Sequence, residues 1–261
     1  MIAQDTISEL GRIFPLFAVY LTSGFIIFAR VMGFMRFAPI LNRKEIPSTV
    51  KLSLGLMLTI IFIAVQRPAV MPAENSFILS LALNYASGAM LGYMAQLLLL
   101  AVEAGADMIN MQMGLSSAMV LEPTTSAQTS ILAKLITLLG LAIFMEIGGF
   151  YWIMNAFVKS FEIFPLYASS IPLEKIVNMD YLMKMTSNVL YVGLQIASPV
   201  LIATLGQDII LGVISKTAPQ VNVFQLSFLF KPVFGAAIMV WILPMLANVI
   251  EDYFQSFANI I

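Results

Sequence analysis

The chain has 261 residues, of which 60% are apolar and 10% charged, with a formal net charge of −1 and neither cysteine nor histidine. A soluble domain carries about half apolar and about a quarter charged residues, so water is not the main solvent of this chain. The two missing residue types remove disulfides, thiolate nucleophiles, imidazole bases and the zinc and haem sites built from them, so no cofactor is expected; the lack of a basic tract leaves nucleic acid unimplied as a partner.

From the amino terminus, Asp5 and Glu9 precede the first basic residue, Arg12. The apolar run that follows outlasts a signal-peptide core, so the first helix is expected to stay. Polar and Pro-rich segments divide the chain into six apolar blocks, near 13–36, 50–66, 77–102, 131–158, 183–205 and 224–250. They are longer than barrel strands and do not alternate in polarity, so the predicted fold is an all-α integral membrane protein. The second block has about 15 uncharged residues, roughly 22 Å of helix, which is short for a span. Pro199 and Pro244 lie inside blocks and are predicted to kink or break their helices unless neighbouring protein satisfies the freed carbonyls. Counting basic residues on alternate sides fails to orient six spans. Arg36, Arg43, Lys44 and Lys51 cluster after the first block, segment 103–130 has no basic residue, and Lys159, Lys175 and Lys184 follow the fourth block. Re-entrant blocks, or something other than six simple spans, are therefore expected.

Charges within or beside apolar helix are costly, which singles out Arg30, Arg36, Glu103, Asp107, Lys134 and Glu146. They suit an ion or proton relay, or else charges paired across helices or facing water; their scatter favours the second reading. Glu103 and Asp107, four apart, share a helix face that meets water or a cation, or holds one protonated carboxyl. The stretch Ala104–Pro123 breaks the apolar pattern with glycines, serines, amides and Met108, Met111, Met113 and Met119. Methionine is flexible and weakly polar, so these residues suit a deformable seal, with Gly105 and Gly114 letting the backbone bend; from the residues alone, core filling is the favoured reading. Gly88 with Gly92, and Gly148 with Gly149, are predicted to mark close helix packing. No phosphate-cradling loop is present.

Three passages resemble the FliR family of flagellar export-gate proteins, whose counterpart in virulence type III secretion is SctT. Ala29–Leu56 matches its amino-terminal signature at Arg30, Gly33, Pro39, Pro47 and Lys51. Gly105 and the run Gln112-Met113-Gly114-Leu115-Ser116, followed by Glu122-Pro123, resemble its central loop. Ala218–Pro232 resembles its carboxy-terminal segment at Pro219, Asn222 and Lys231. The sequence departs at Glu122, where Asp is more usual, and at Phe150, where the family often has His.

The resemblance implies a non-enzymatic subunit made of kinked helical hairpins packed into a helical hetero-oligomeric export gate. Residues 1–185 would be FliP-like and 186–261 FliQ-like, the latter on Pro199, Gly206, Gln220–Lys231, Pro244 and Asp252-Tyr253. It implies a pore plug over Ala106–Glu122, carried by Met108, Met111, Gln112, Met113, Gly114, Leu115, Ser116 and Met119. The implied partners are FliP, FliQ, FlhB, FlhA, unfolded flagellar substrates and lipid, in the bacterial inner membrane, with part of the assembly on its periplasmic side. The leaning is flagellar rather than virulence-type. Two other classes are weighed beside it: a small ion-coupled secondary transporter using Glu103, Asp107 or Glu146, and, more weakly, an intramembrane aspartyl protease using Asp107 and Asp208.

Overall fold

The structure, a computed structural model, describes residues 15–43, 45–66, 72, 76–114, 131–167 and 179–258. Seven helices are found among them: α1 Pro15–Phe37, α2 Ser48–Gln66, α3 Phe77–Gln112, α4 Ile131–Glu146, α5 Gly149–Ile163, α6 Met179–Thr217 and α7 Val223–Ala258. No strand occurs among the described residues. Five helices are long and apolar enough to cross a membrane, or six spans if α4 and α5 count as one bent crossing. This is the all-helical membrane architecture that the long charge-free blocks require.

Three expectations are altered in detail. The second block is not too short, because α2 begins at Ser48: the Pro47 carbonyl accepts from Val50 N at 3.0 Å and Lys51 N at 3.2 Å, adding a turn and giving 19 residues. That is roughly 28 Å of helix, close to the hydrocarbon thickness. Helix α6 is not broken at Pro199. The carbonyl that Pro199 leaves without a donor belongs to Gln195, and Ser198 Oγ donates to it at 2.9 Å. Helix α7 likewise continues through Pro232 and Pro244.

The fourth block, by contrast, bends by 66° between α4 and α5. Gly148 sits there at φ +80, with no atom within 4 Å of where a Cβ would be. It ends α4 as a left-handed residue and is not a packing glycine. Gly149 does pack closely, against the Phe144 ring.

The chain forms two compact units. The first comprises residues 1–96 and 151–183, with α1, α2, the start of α3 and α5. Backbone meets backbone between α1 and α3: a side chain at Gly88 would overlap the Arg30 carbonyl, one at Gly92 the Phe34 carbonyl, and one at Gly33 the Tyr85 carbonyl. The predicted packing role of Gly88 and Gly92 therefore holds. Phe62 lies 5.2 Å from Phe157 and 5.7 Å from Phe161, ring centre to ring centre, and Phe34 lies 4.7 Å from Phe157. The second unit comprises residues 97–150 and 184–261, with the end of α3, α4, α6 and α7. Here α3 meets α6 where a Cβ on Gly105 would come within 2.8 Å of the Gly193 carbonyl oxygen, and Phe144 of α4 meets Phe254 of α7 at 5.2 Å.

Candidate functional site

In the first unit, Arg30 projects from α1 and is 0% exposed. Its Nε donates to Asn84 Oδ1 at 3.0 Å and its Nη2 to the same oxygen at 2.5 Å. Nη1 donates to the Ser160 carbonyl at 3.1 Å, and Nη2 also to the Phe164 carbonyl at 2.7 Å. The Phe161 ring covers the guanidinium at 4.1 Å. Those two carbonyls close the carboxy-terminal turn of α5, where the helix dipole favours a cation. Asn84 is itself held, because its Nδ2 donates to Ser80 O at 2.7 Å and Leu166 O at 2.9 Å. Among the described residues no carboxylate faces Arg30, and its partners are an amide, a hydroxyl, two carbonyls and rings. Such groups solvate a fixed charge and join α1, α3 and α5.

The methionine-rich stretch begins as helix. Met108 is half-buried and Met111 is 70% exposed, both on the last two turns of α3, which ends at Gln112. Met113 is 1% exposed. The helix closes by Met113 N donating to Ile109 O at 3.0 Å and Gly114 N to Met111 O at 3.1 Å, with Gly114 at φ +72. Leu115, Ser116, Met119 and Pro123 lie outside the described residues. Glu103 is half-buried and Asp107 exposed on the same helix; Lys134, Glu146 and Arg36 are exposed, with Arg36 Nη1 donating to Asn42 Oδ1 at 3.1 Å.

The remaining signature positions shape helix ends and crossings. Pro39 is buried in the turn after α1, Pro47 supplies the first carbonyl of α2, and Lys51 stands in the first turn of α2. Pro219 lies in the turn between α6 and α7, and Asn222 Oδ1 caps α7 by accepting from Gln225 N at 3.2 Å. Lys231 Nζ lies 2.8 Å from Asp208 Oδ1, so an ion pair ties α7 to α6. The two partners lie 9 and 8 positions from the helix ends that flank the turn, Thr217 and Val223, so the pair clasps the hairpin at matched height.

Three contributors were not singled out from sequence: Asn84, Ser160 and Gly235, against which the buried Met113 side chain packs. Asn84 had a readable signal as an amide within the uncharged run 75–102, and Gly235 as the single glycine of α7. Ser160 had none.

Together these features define a polytopic helical membrane protein whose internal polar groups fasten and cap helices. Among the described residues no cluster of acidic side chains could hold a metal ion. The family described as bacterial export proteins, family 1, matches residues 21–257, and the chain belongs to it. Over 234 residues the chain is 29% identical to the flagellar biosynthetic protein FliR of Escherichia coli (strain K12), covering 89% of this chain and 88% of that one. It is 26% identical over 235 residues to the protein of that name from Aquifex aeolicus (strain VF5), covering 88% and 89%. For that of Bacillus subtilis (strain 168) the figures are 22% over 254 residues and 94% of each chain. The resemblance to FliR carried by the three passages thus extends along nearly the whole chain.

Proposed function

We propose that the chain is a structural and gating subunit of the flagellar export apparatus, forming with FliP and FliQ the conduit by which unfolded flagellar proteins cross the inner membrane. The observation that carries this reading is the family match over residues 21–257, with FliR proteins of several bacteria aligned along almost their full length. The surface of α7 supports it. Phe224, Leu229, Val233, Val240 and Trp241 are all exposed, and they point to different sides of the helix. A helix apolar all round needs lipid or other protein on each side.

In this reading the chain is a non-catalytic wall element, FliP-like over residues 1–185 and FliQ-like over 186–261, with FlhB and FlhA as further neighbours. Part of the assembly stands on the periplasmic side of the bilayer. Residues 106–122 serve as the plug. A conduit for unfolded chains must seal against ions and still yield to varied side chains, and soft methionine surfaces meet both demands. Native mass spectrometry after gentle detergent extraction is expected to release the chain with several other membrane proteins; a lone monomer or plain homodimer would refute the assignment. Deleting Asn110–Ala118 is expected to make the resting complex conduct ions while leaving it assembled. Wild-type conductance in an assembled deletion complex would refute the plug.

A further inference from the structure

Among the described residues of the candidate plug, Met113 is the methionine that is fully buried, and it lies at the point where α3 gives way to the turn. Its whole side chain rests flat on Gly235 of α7: a Cβ on that glycine would stand 2.6 Å from Met113 Cγ, 2.9 Å from Cε and 3.1 Å from Sδ. All three are inside normal contact distance, so a side chain at position 235 requires the Met113 side chain to shift from Cγ outward and not only at its tip. Gly235 is the only glycine in the 36 residues of α7, and a glycine inside a helix weakens that helix. The contact with Met113 gives that weakness a function.

The end of α3 is held on its other sides too, since Ala106 and Ile109 are 0% exposed. The next residue is different in kind. Gly114 stands at φ +72 with no atom within 4 Å of a Cβ position, so the chain turns away immediately after the buried methionine.

We propose that Gly235 is a positioning residue for the gate: it is the seat on α7 that holds Met113, and this root, up to residue 113, stays seated while substrate passes. The inference rests on the plug reading above and deepens it, by tying the candidate plug to the carboxy-terminal hairpin 122 residues further along the chain. Gly235→Val removes the seat, and Met113→Ala removes what sits in it.

The assembled complex, reconstituted with its partner subunits, supplies the test. Gly235→Val and Met113→Ala are each expected to raise resting ion conductance several-fold with the subunits still co-purifying, an effect that a purely structural contact would not produce. Because the chain has no cysteine of its own, a Met113→Cys, Gly235→Cys pair reports how close the two positions lie, even if Gly235→Val fails to assemble. Oxidation at rest is expected to join the two cysteines within this chain, and the joined complex is expected to export as well as the same variant does when reduced. Failure to join, or wild-type conductance in an assembled Gly235→Val complex, overturns the seat. Export lost on oxidation and restored by reductant overturns the claim that the root stays seated. If the Asn110–Ala118 deletion complex leaks while assembled Gly235→Val stays tight, the seat alone fails; if the deletion complex is itself tight, the plug reading fails.

Discussion

Replacing Asn84 by Ala isolates what a buried arginine requires in an apolar protein. The substitution removes the oxygen that accepts from Nε and Nη2 of Arg30, and leaves the guanidinium with the Ser160 and Phe164 carbonyls and the Phe161 ring. Each hydrogen bond to a charged group contributes about 1.5–3 kcal/mol. Removing one partner of a buried charge costs about 3–5 kcal/mol, because water cannot replace it. Arg30 is 0% exposed, so no solvent screening lowers that figure. At about 2–4 °C per kcal/mol, a melting temperature roughly 10 °C lower is expected.

The assay is thermal unfolding of the purified complex in detergent, followed by loss of monodisperse protein. Two companions separate the charge from the shape. Asn84→Asp keeps an acceptor and makes it a counter-charge, losing only the amide donations to Ser80 O and Leu166 O, so it is expected to melt well above Asn84→Ala. Arg30→Met combined with Asn84→Leu removes both polar partners and is expected to be less destabilised than Asn84→Ala. An Asn84→Ala complex that melts with wild type would show that Asn84 does not solvate the arginine.

Three further outcomes follow from single contacts. Lys231→Ala is expected to cost under about 1 kcal/mol, because the pair with Asp208 is partly open, with side-chain exposures of 22% and 37%; the swap Asp208→Lys, Lys231→Asp should recover it, and a loss larger than that of Asn84→Ala would contradict the assignment. Asn222→Ala removes the cap of α7 and is expected to lower stability by about 1 kcal/mol, read as earlier hydrogen exchange in the first turn of that helix. Gly148→Ala meets no neighbour, so its cost is conformational alone, about 1–2 kcal/mol at φ +80, whereas Gly88→Ala is driven into the Arg30 carbonyl and is expected to melt lower still; equal melting of the two would undo the distinction between turn and packing glycines.

What the sequence made legible followed from chemistry that acts locally. Long charge-free blocks require helices whichever neighbours they have, and the spacing of Gly88 and Gly92 puts both on one face, where α1 then fits. Asn222 was legible as a match to the family's carboxy-terminal segment, and the structure adds that its oxygen caps α7 by accepting from an amide three residues away. Misreadings arose where the deciding partner was set by detail or distance. Pro199 reads as a kink or break unless neighbouring protein satisfies the freed carbonyl, and the group that does so is Ser198, its immediate neighbour, turned toward Gln195. Gly148-Gly149 reads as a packing pair, but the first residue turns and only the second packs. Arg30 reads as a charge paired across helices or facing water, and the neutral partners that surround it, Asn84 and Ser160, lie 54 and 130 residues away.

Met113 shows the same limit most sharply. Methionines at 108, 111 and 113 are chemically alike in sequence, yet one is open and another is enclosed by a glycine on a distant helix. Their roles must differ accordingly. A seal needs side chains free to deform around what passes, which suits Met111; a root needs one that does not leave its place, which suits Met113. The same polarisable thioether serves both purposes, and burial decides between them.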